Sequence, residues 1–326
     1  MLGKQQILLV CVCVALLSGS ALAAPPAEEI FRRMHMADSE VSFAGEQIAY
    51  IVRGGTERKV RRRVMHQAPN LLRVEHLSPA SLKGELIVAD GQNRWHYFPS
   101  RKEAIKIPQY SPARKRFLLG HRKELARRNF RILYHGEDHV AGRDVYVIEL
   151  KCANAGGVAR KFWVDTSTFV KLKSLQTYPA AGTTESMWFE RIDFHPRYDK
   201  NTFRFTPPPG TRVVGPPAPG GGRALKSLAE LNENAPFPVM TPSFLPQGYV
   251  WESGAIQERG GEQVVWTRYT NGVDNISLFQ RQGGGNDHDP RRGPRGTVMW
   301  QEGGYHFIAI GRLPYETMVK IANSVR

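Results

Sequence analysis

The sequence predicts an α+β protein, mainly β: a large antiparallel sheet domain with covering helices, followed by a smaller α+β domain. Three observations predict it. Short runs rich in Val, Ile, Tyr and Phe recur between Gly, Pro, Asn and Asp turns over much of the chain. The stretch TPPPGTRVVGPPAPGGGR, residues 206–223, is loaded with Pro and Gly and can continue neither strand nor helix. Charge divides at the same place: residues 24–222 hold 33 Lys+Arg against 20 Asp+Glu, a net of +13, and residues 223–326 hold 11 against 10, a net of +1.

The first 23 residues read as a secretory signal. Lys4 supplies the basic start, Ile7 to Leu17 is an apolar run too short for a comfortable membrane span, and Ala21-Leu22-Ala23 is a small-residue cleavage site. Ser20 stands where a lipid-anchored protein would need a cysteine. The mature chain is expected to start at Ala24, in the periplasm of a bacterium, which excludes nucleic acid as a partner. Cys11 and Cys13 leave with the signal, so Cys152 has no partner for an internal disulfide and reads as a half-buried strand residue.

The elements follow in order. An amphipathic helix over about Glu28–Asp38 would bury Ile30, Phe31 and Met34. Strands are expected at Phe43–Val52, Arg58–Gln67, Asn70–His76, Leu82–Ala89 and Arg94–Phe98, separated by turns at Gly54-Gly55, Pro69-Asn70 and Asp90-Gly91. The run KVRRRVMHQAP, residues 59–69, lies on the second of these and reads as a strand with a cationic, solvated outer face. A basic helix is expected from about Pro112 to Arg128, Ser111 capping it, placed over the mouth of a curved sheet. Four more strands follow, at Arg143–Leu150, Val158–Asp165, Phe169–Tyr178 and Glu185–Phe194. The last carries apolar bulk on both faces, so one face is expected to line either a cavity or a second packed layer.

The second domain reads as two hairpins, turning at Asn271-Gly272 and Gly303-Gly304, with a closing helix whose stripe is Met318, Ile321, Ala322 and Val325 and whose first residue is Pro314. Residues 283–296, GGGNDHDPRRGPRG, read as a flexible loop.

Catalytic chemistry is not signalled. The chain has no G-x-S-x-G, P-loop or H-E-x-x-H motif. His135 and His139 have metal-like spacing but are expected in a turn, and Asp287-His288-Asp289 lies in a Gly-rich loop; neither is expected to hold a metal. The chain reads as a binding protein with no enzyme activity and no cofactor.

Two segments carry a family resemblance. NFRILYHGEDHVAGRDVYVIELKCANAGGVARKFWVDTSTFVKLKSLQTYPAAGTTESMWFERIDF gives a strand, an "AGR" turn, two strands, a W-V-D-x-x-T turn and two long strands; KVRRRVMHQAPNLLRVEHLSPASLKGELIVADGQNRWHYFP fits the strands before it. LPQGYVW, TRYTNGVDNISLFQ and GYHFIAIGRLPYETMVKIANSV follow in the second domain. Together they resemble the periplasmic sigma-E factor regulatory proteins of the MucB/RseB type. The resemblance implies an open half-barrel of the lipoprotein-carrier (LolA-like) kind in residues 24–212, a linker at 213–225, and a partner-docking domain in 226–326. It also implies the function: a negative regulator of an envelope-stress sigma factor, binding the periplasmic part of a membrane-bound anti-sigma factor and released by a lipid-like or lipopolysaccharide ligand. Trp95, Tyr97, Phe162, Trp188 and Phe189 are the expected ligand-facing residues, and Arg61, Arg62, Arg63, Arg122 and Lys123 the expected anion contacts. A homodimer is compatible with this reading. The alternative is a lipid or lipoprotein carrier that regulates nothing.

Overall fold

The computed structural model describes residues 24–109, 122–152, 159–178, 182–214, 225, 227–259, 261–286, 288–293 and 297–326. The expected signal segment, the first part of the basic helix and Asp287 lie outside them. Among the described residues no helix is long and apolar enough to cross a membrane.

The chain opens with α1 (Ala27–Glu40). Ile30, Met34 and Ala37 recur at helical spacing and are buried, and Glu28 and Glu29 complement the dipole at its N-terminus. Strands β1 (Phe43–Arg53), β2 (Thr56–Gln67), β3 (Leu71–Ser78), β4 (Leu86–Ala89), β5 (Asn93–Phe98) and β6 (Glu103–Pro108) form a meander. Gly54 and Gly55 both take positive φ, which a two-residue turn matching the twist of β1 and β2 requires. Residues 122–129 are helical (α2). Then come β7 (Phe130–Val140), β8 (Arg143–Cys152), β9 (Ala159–Asp165), β10 (Lys171–Tyr178), β11 (Thr183–Asp193) and β12 (Arg212–Val214). All join one twelve-stranded sheet in the order β12-β6-β5-β4-β3-β2-β1-β11-β10-β9-β8-β7, antiparallel except for the β12–β6 pair.

The sheet curls around α1. Its curl brings Arg143, at the start of β8, 4.7 Å over the ring of Phe194, just past β11. Arg143 also holds Asp165 at 2.5 Å, where backbone and hydroxyl donors of Thr168 close the β9–β10 turn on the same carboxylate. Burial raises the Asp165 carboxyl, but these donors outweigh it and leave it below the usual carboxylate range.

The second unit holds α3 (Leu228–Asn234), β13 (Val250–Arg259), β14 (Glu262–Thr270), β15 (Asn275–Gln282), β16 (Arg291–Arg292), β17 (Thr297–Glu302), β18 (Tyr305–Gly311) and α4 (Tyr315–Ala322). Its six-stranded sheet runs β13-β14-β15-β18-β17-β16. Met318, Ile321 and Ala322 of α4 pack on Leu278, Phe307 and Ala309, so the expected helix stripe and both expected hairpins are present. The expected α+β class, an open curved sheet followed by a smaller sheet with a C-terminal helix, is the observed architecture.

Several elements depart from the sequence reading. β6 and α3 fall outside the expected strand and helix spans, and β12 lies inside the Pro/Gly stretch expected to carry no strand, pairing with β6. β7 and β8 place His135 and His139 on a bulged strand rather than in a turn; His135 pairs with Glu149 and His139 with Asp144. Leu82 lies in a short 3₁₀ turn, and β4 starts at Leu86. β16 interrupts the expected flexible loop and pairs with β17. Pro314 caps α4 rather than starting it.

Candidate functional site

Residues directly opposite each other in an antiparallel pair share a face. The register therefore sorts every strand residue of the large sheet to the inner face, under α1, or to the outer face. Arg62 (β2) sits opposite Gln47 (β1) and His76 (β3), on the side of the buried Val64 and Val74 that pack with α1. Arg61 and Arg63 lie on the other side. Three consecutive arginines thus divide between two environments by the period of two alone.

The inner face is apolar beneath α1. Phe31 of α1 lies 6.4 Å from Phe162, and Phe43 meets Phe189 edge-on at 5.7 Å. Beyond this floor stands Arg62, half-buried, donating to Gln47 Oε1 at 2.7 Å and reaching Met187 Sδ at 3.0 Å. No carboxylate pairs with it among the described residues. Burial accordingly lowers the affinity of its guanidinium for its proton. His96 (β5), opposite Ile105, lies further along the same face 3.7 Å from Glu85, and burial is the main cause holding its pKa below the ordinary histidine value.

The far end of the inner face is closed by the second domain. The β14–β15 turn, Asn271 to Asp274, wedges between α2 and the ends of β9 to β11. Val273 packs against the core of the large sheet. Gly272 takes φ +94°, and a Cβ there would lie 2.4 Å from the Ala126 amide, so the approach to α2 requires glycine. Asn129 holds the turn in place, donating through Nδ2 to the carbonyls of Gly248 and Asn271, both at 3.0 Å. Three arginines cross the seam. Arg160 (β9) pairs with Asp274, both largely buried. Arg122 (α2) forks onto both oxygens of Glu252 at 2.6 and 2.7 Å. Arg312 donates to the Tyr178 hydroxyl at 2.9 Å and approaches Glu185. Tyr249 lies beside Arg160 and Asp274, and burial pushes its phenol far up.

The ten expected contact residues do not form one lining. Phe162 and Phe189 are on the inner face, 7% and 3% exposed, and are consumed by packing against α1 and Phe43. Trp95 and Tyr97 are on the outer face, both against Phe205 of the segment that follows β11, Trp95 edge-on and Tyr97 tilted. Trp188 is also on the outer face, opposite Ile48 and Lys173. Among the expected cations, Arg62 alone faces inward on the sheet. Arg61 pairs with Glu46 at 2.6 Å and Glu190 at 3.3 Å, and Arg63 with Glu75 at 3.4 Å. Arg122 belongs to the seam, and Lys123 is exposed on α2. The sequence reading missed Gln47, Met187, Arg160, Asp274 and Glu252. Asn271-Gly272 was legible as a turn, but nothing in the sequence tells what that turn touches.

Among the described residues no group of three His, Cys, Asp or Glu side chains is placed to hold a metal ion. What the geometry offers is binding: a curved apolar floor, an inward cation without a carboxylate, and a mouth closed by a second domain.

Residues 26–205 match the family model "MucB/RseB N-terminal domain". The crystal structure of MucB in complex with MucA(peri) superposes with a TM-score of 0.63 at 17% identity, covering 92% of this chain and 98% of that one. The complex structure of Pseudomonas aeruginosa MucA/MucB gives 0.61, also at 17% identity and over 92% and 98% of the two chains. An uncharacterized protein of Methanocaldococcus jannaschii, MJ0687, is 23% identical over 268 residues, 74% of this chain and 76% of its own. The structural matches extend past the N-terminal sheet into the second domain, and with the family model they establish that this chain belongs to the MucB/RseB family.

Proposed function

We propose that this protein is a periplasmic negative regulator of an envelope-stress sigma factor. Residues 24–212 form its ligand-sensing domain, 213–225 the linker, and 226–326 the domain that docks the periplasmic part of a membrane-bound anti-sigma factor. The observation that carries the reading is the match of both domains, over nearly the whole of each chain, to MucB in a complex with MucA(peri). Residues 1–23 are its export signal, and it performs no covalent chemistry.

The inner face supports a sensing role. A lipid-like ligand would enter the inner face beside Arg62 and Met187, where the guanidinium would meet a phosphate or carboxylate with donors left over from Gln47. Trp95, Tyr97 and Trp188 take no part in that lining, and Arg61 and Arg63 are engaged with carboxylates elsewhere.

The test is direct. Purified protein is titrated with the soluble periplasmic segment of a MucA-type anti-sigma factor in a calorimeter, and the segment is then exposed to protease with and without it. The proposal expects saturable binding and protection. Absence of both overturns it. The carrier reading is separated by variants inside the second domain that leave the seam intact: a regulator loses segment binding, a carrier loses nothing. Deleting residues 226–326 outright is the poorer experiment, because Asp274 and Val273 complete the wall of the first domain.

A further inference from the structure

The outer face of an antiparallel sheet with one packed side is ordinarily polar. Here it is not. Across β9, β10, β11, β1, β2 and β3 the register lines up Trp163, Lys173, Trp188, Ile48, Arg61 and Ser78 in one row. The adjacent row reads Lys161, Leu175, Ser186, Tyr50 and Lys59. Trp163 and Ile48 are buried in this layer, whereas Trp188, Tyr50 and Leu175 stand half-exposed beside Lys59, Arg61, Lys161 and Lys173; the rows span six strands, about 24 Å at the usual strand spacing. Lys173 Nζ lies 4.2 Å from the Trp163 ring centre and Lys161 Nζ 5.5 Å from it. At the β1–β3 end the rows run into a cleft of about 380 Å³ lined by Ile48, Lys59, Arg61, Ser78, Pro79 and Glu190.

The segment after β11 covers only the other half of this face. The Thr202 carbonyl accepts from Arg73 of β3, and the Phe205 ring lies against Trp95 and Tyr97 of β5. Over β9 to β2 no described segment crosses it. Among the described residues Lys59, Lys161 and Lys173 form no direct ion pair, although Lys173 adds to the His139 amide in holding down the carboxyl of Asp138, which accepts from Trp163 Nε1 at 2.8 Å. The second domain packs on the opposite side of the sheet through Arg160 and Glu185.

We propose that this outer face docks on an anionic lipid bilayer. The argument is independent of the anti-sigma reading. Trp and Tyr prefer the headgroup layer, with an apolar body and a polar tip, and lysines beside them reach anionic headgroups as flexible point charges. A broad, shallow array suits a fluid surface; a folded acidic partner would favour the fixed forked geometry that arginine supplies, as it does at the domain seam. The net charge of +13 in residues 24–222 adds attraction at a distance, screened by salt.

The test uses the full mature chain and sedimentation with vesicles of phosphatidylcholine alone or mixed with phosphatidylglycerol. Binding is expected to the mixed vesicles only, weakening as salt rises. Reversing three charges, Lys59→Glu, Lys161→Glu and Lys173→Glu, should weaken it at least about tenfold. The milder Lys161→Gln/Lys173→Gln pair should weaken it in the same direction and guards against a variant that fails to fold. Brominated lipid should quench part of the tryptophan fluorescence, and Trp188→Phe should remove part of that quenching. Lys320→Gln, exposed on α4 of the second domain, should bind vesicles unchanged. The proposal is overturned if the parent shows no preference for anionic vesicles. It is equally overturned if the reversed variant binds as the parent does, or if Arg62→Met alone abolishes binding, which would assign the lipid to the hollow. Binding of the anti-sigma segment, followed in the same samples, is expected to persist in the lysine variants, so each proposal stands or falls alone.

Discussion

Arg61 and Arg62 are neighbours in the chain, yet they inhabit different electrostatic worlds. On the outer face Arg61, itself exposed, meets the exposed Glu190 and the largely buried Glu46, and the same Glu46 also takes the exposed Arg191. Those arginines hold the Glu46 carboxyl below its usual range. On the inner face Arg62 has an amide oxygen and a thioether and is half-buried. At the seam Arg160 is buried too, but opposite Asp274. The difference teaches that a cation's worth depends on the solvent it has lost. Exposed pairs gain little because water screens them; buried pairs punish the loss of either partner because the survivor stays desolvated.

The largest effect should come at the seam. Asp274→Asn leaves Arg160 buried without a counter-charge, and a loss of about 3–5 kcal/mol is expected in thermal or denaturant unfolding. A loss below about 1 kcal/mol would show that water reaches Arg160 and would erase the contrast with Arg61.

Arg62→Met sharpens the inner-face half of the comparison. It removes a cation whose desolvation is uncompensated by a carboxylate, so the variant should melt within about 1 kcal/mol of the parent or above it. Strong destabilisation would mean that Arg62 is bound into the fold rather than held open for a ligand.

Acid should weaken the packing of α1 on the inner face. His35 meets Phe31 edge-on at 4.4 Å; its side chain keeps an exposed edge, and partial desolvation of the ring against its surroundings holds its pKa below the ordinary histidine value. The unfolded chain therefore binds the proton more readily than the folded one. The stability this gives is present above about pH 6.5 and is lost as pH falls through the lower folded value. Melting temperatures should drop from pH 7.5 to pH 5, and His35→Gln should flatten the drop. An unchanged slope would move the titration to other groups, His96 first. The smallest effect is expected on the outer face: Arg61→Gln should change stability by no more than about 1 kcal/mol, checked by the same melts.

Much of the fold was legible because period and turn chemistry are local. The strand spans of β1, β2 and β5, the Gly54-Gly55 and Gly303-Gly304 turns and the stripe of α4 all follow from alternation, glycine placement and helical spacing. The end of β7 reads as a turn because its run, FRILYHGEDHV, breaks alternation at the bulge between Tyr134 and Glu137. β6, carrying Glu103, Lys106 and Pro108, looks too polar for a strand; only pairing with β5 on one side and the short β12 on the other explains it. Residue type alone points to Trp95, Tyr97, Phe162, Trp188 and Phe189 as a lining. Type cannot distinguish the two faces when both carry aromatic bulk, as in β11, where Trp188 and Phe189 point oppositely.

By itself the sequence determined the class of the protein: mainly β, divided by a Pro/Gly stretch, cationic in its first part and without a catalytic motif. These properties need only near neighbours along the chain. Tertiary structure alone decided which arginine faces the hollow, which faces the outer surface, and that the Asn271–Asp274 turn closes the far end. The reason is register and curl. Shifting a strand pair by one residue exchanges its faces, and contacts between residues more than a hundred positions apart exist only once the sheet has bent around its helix.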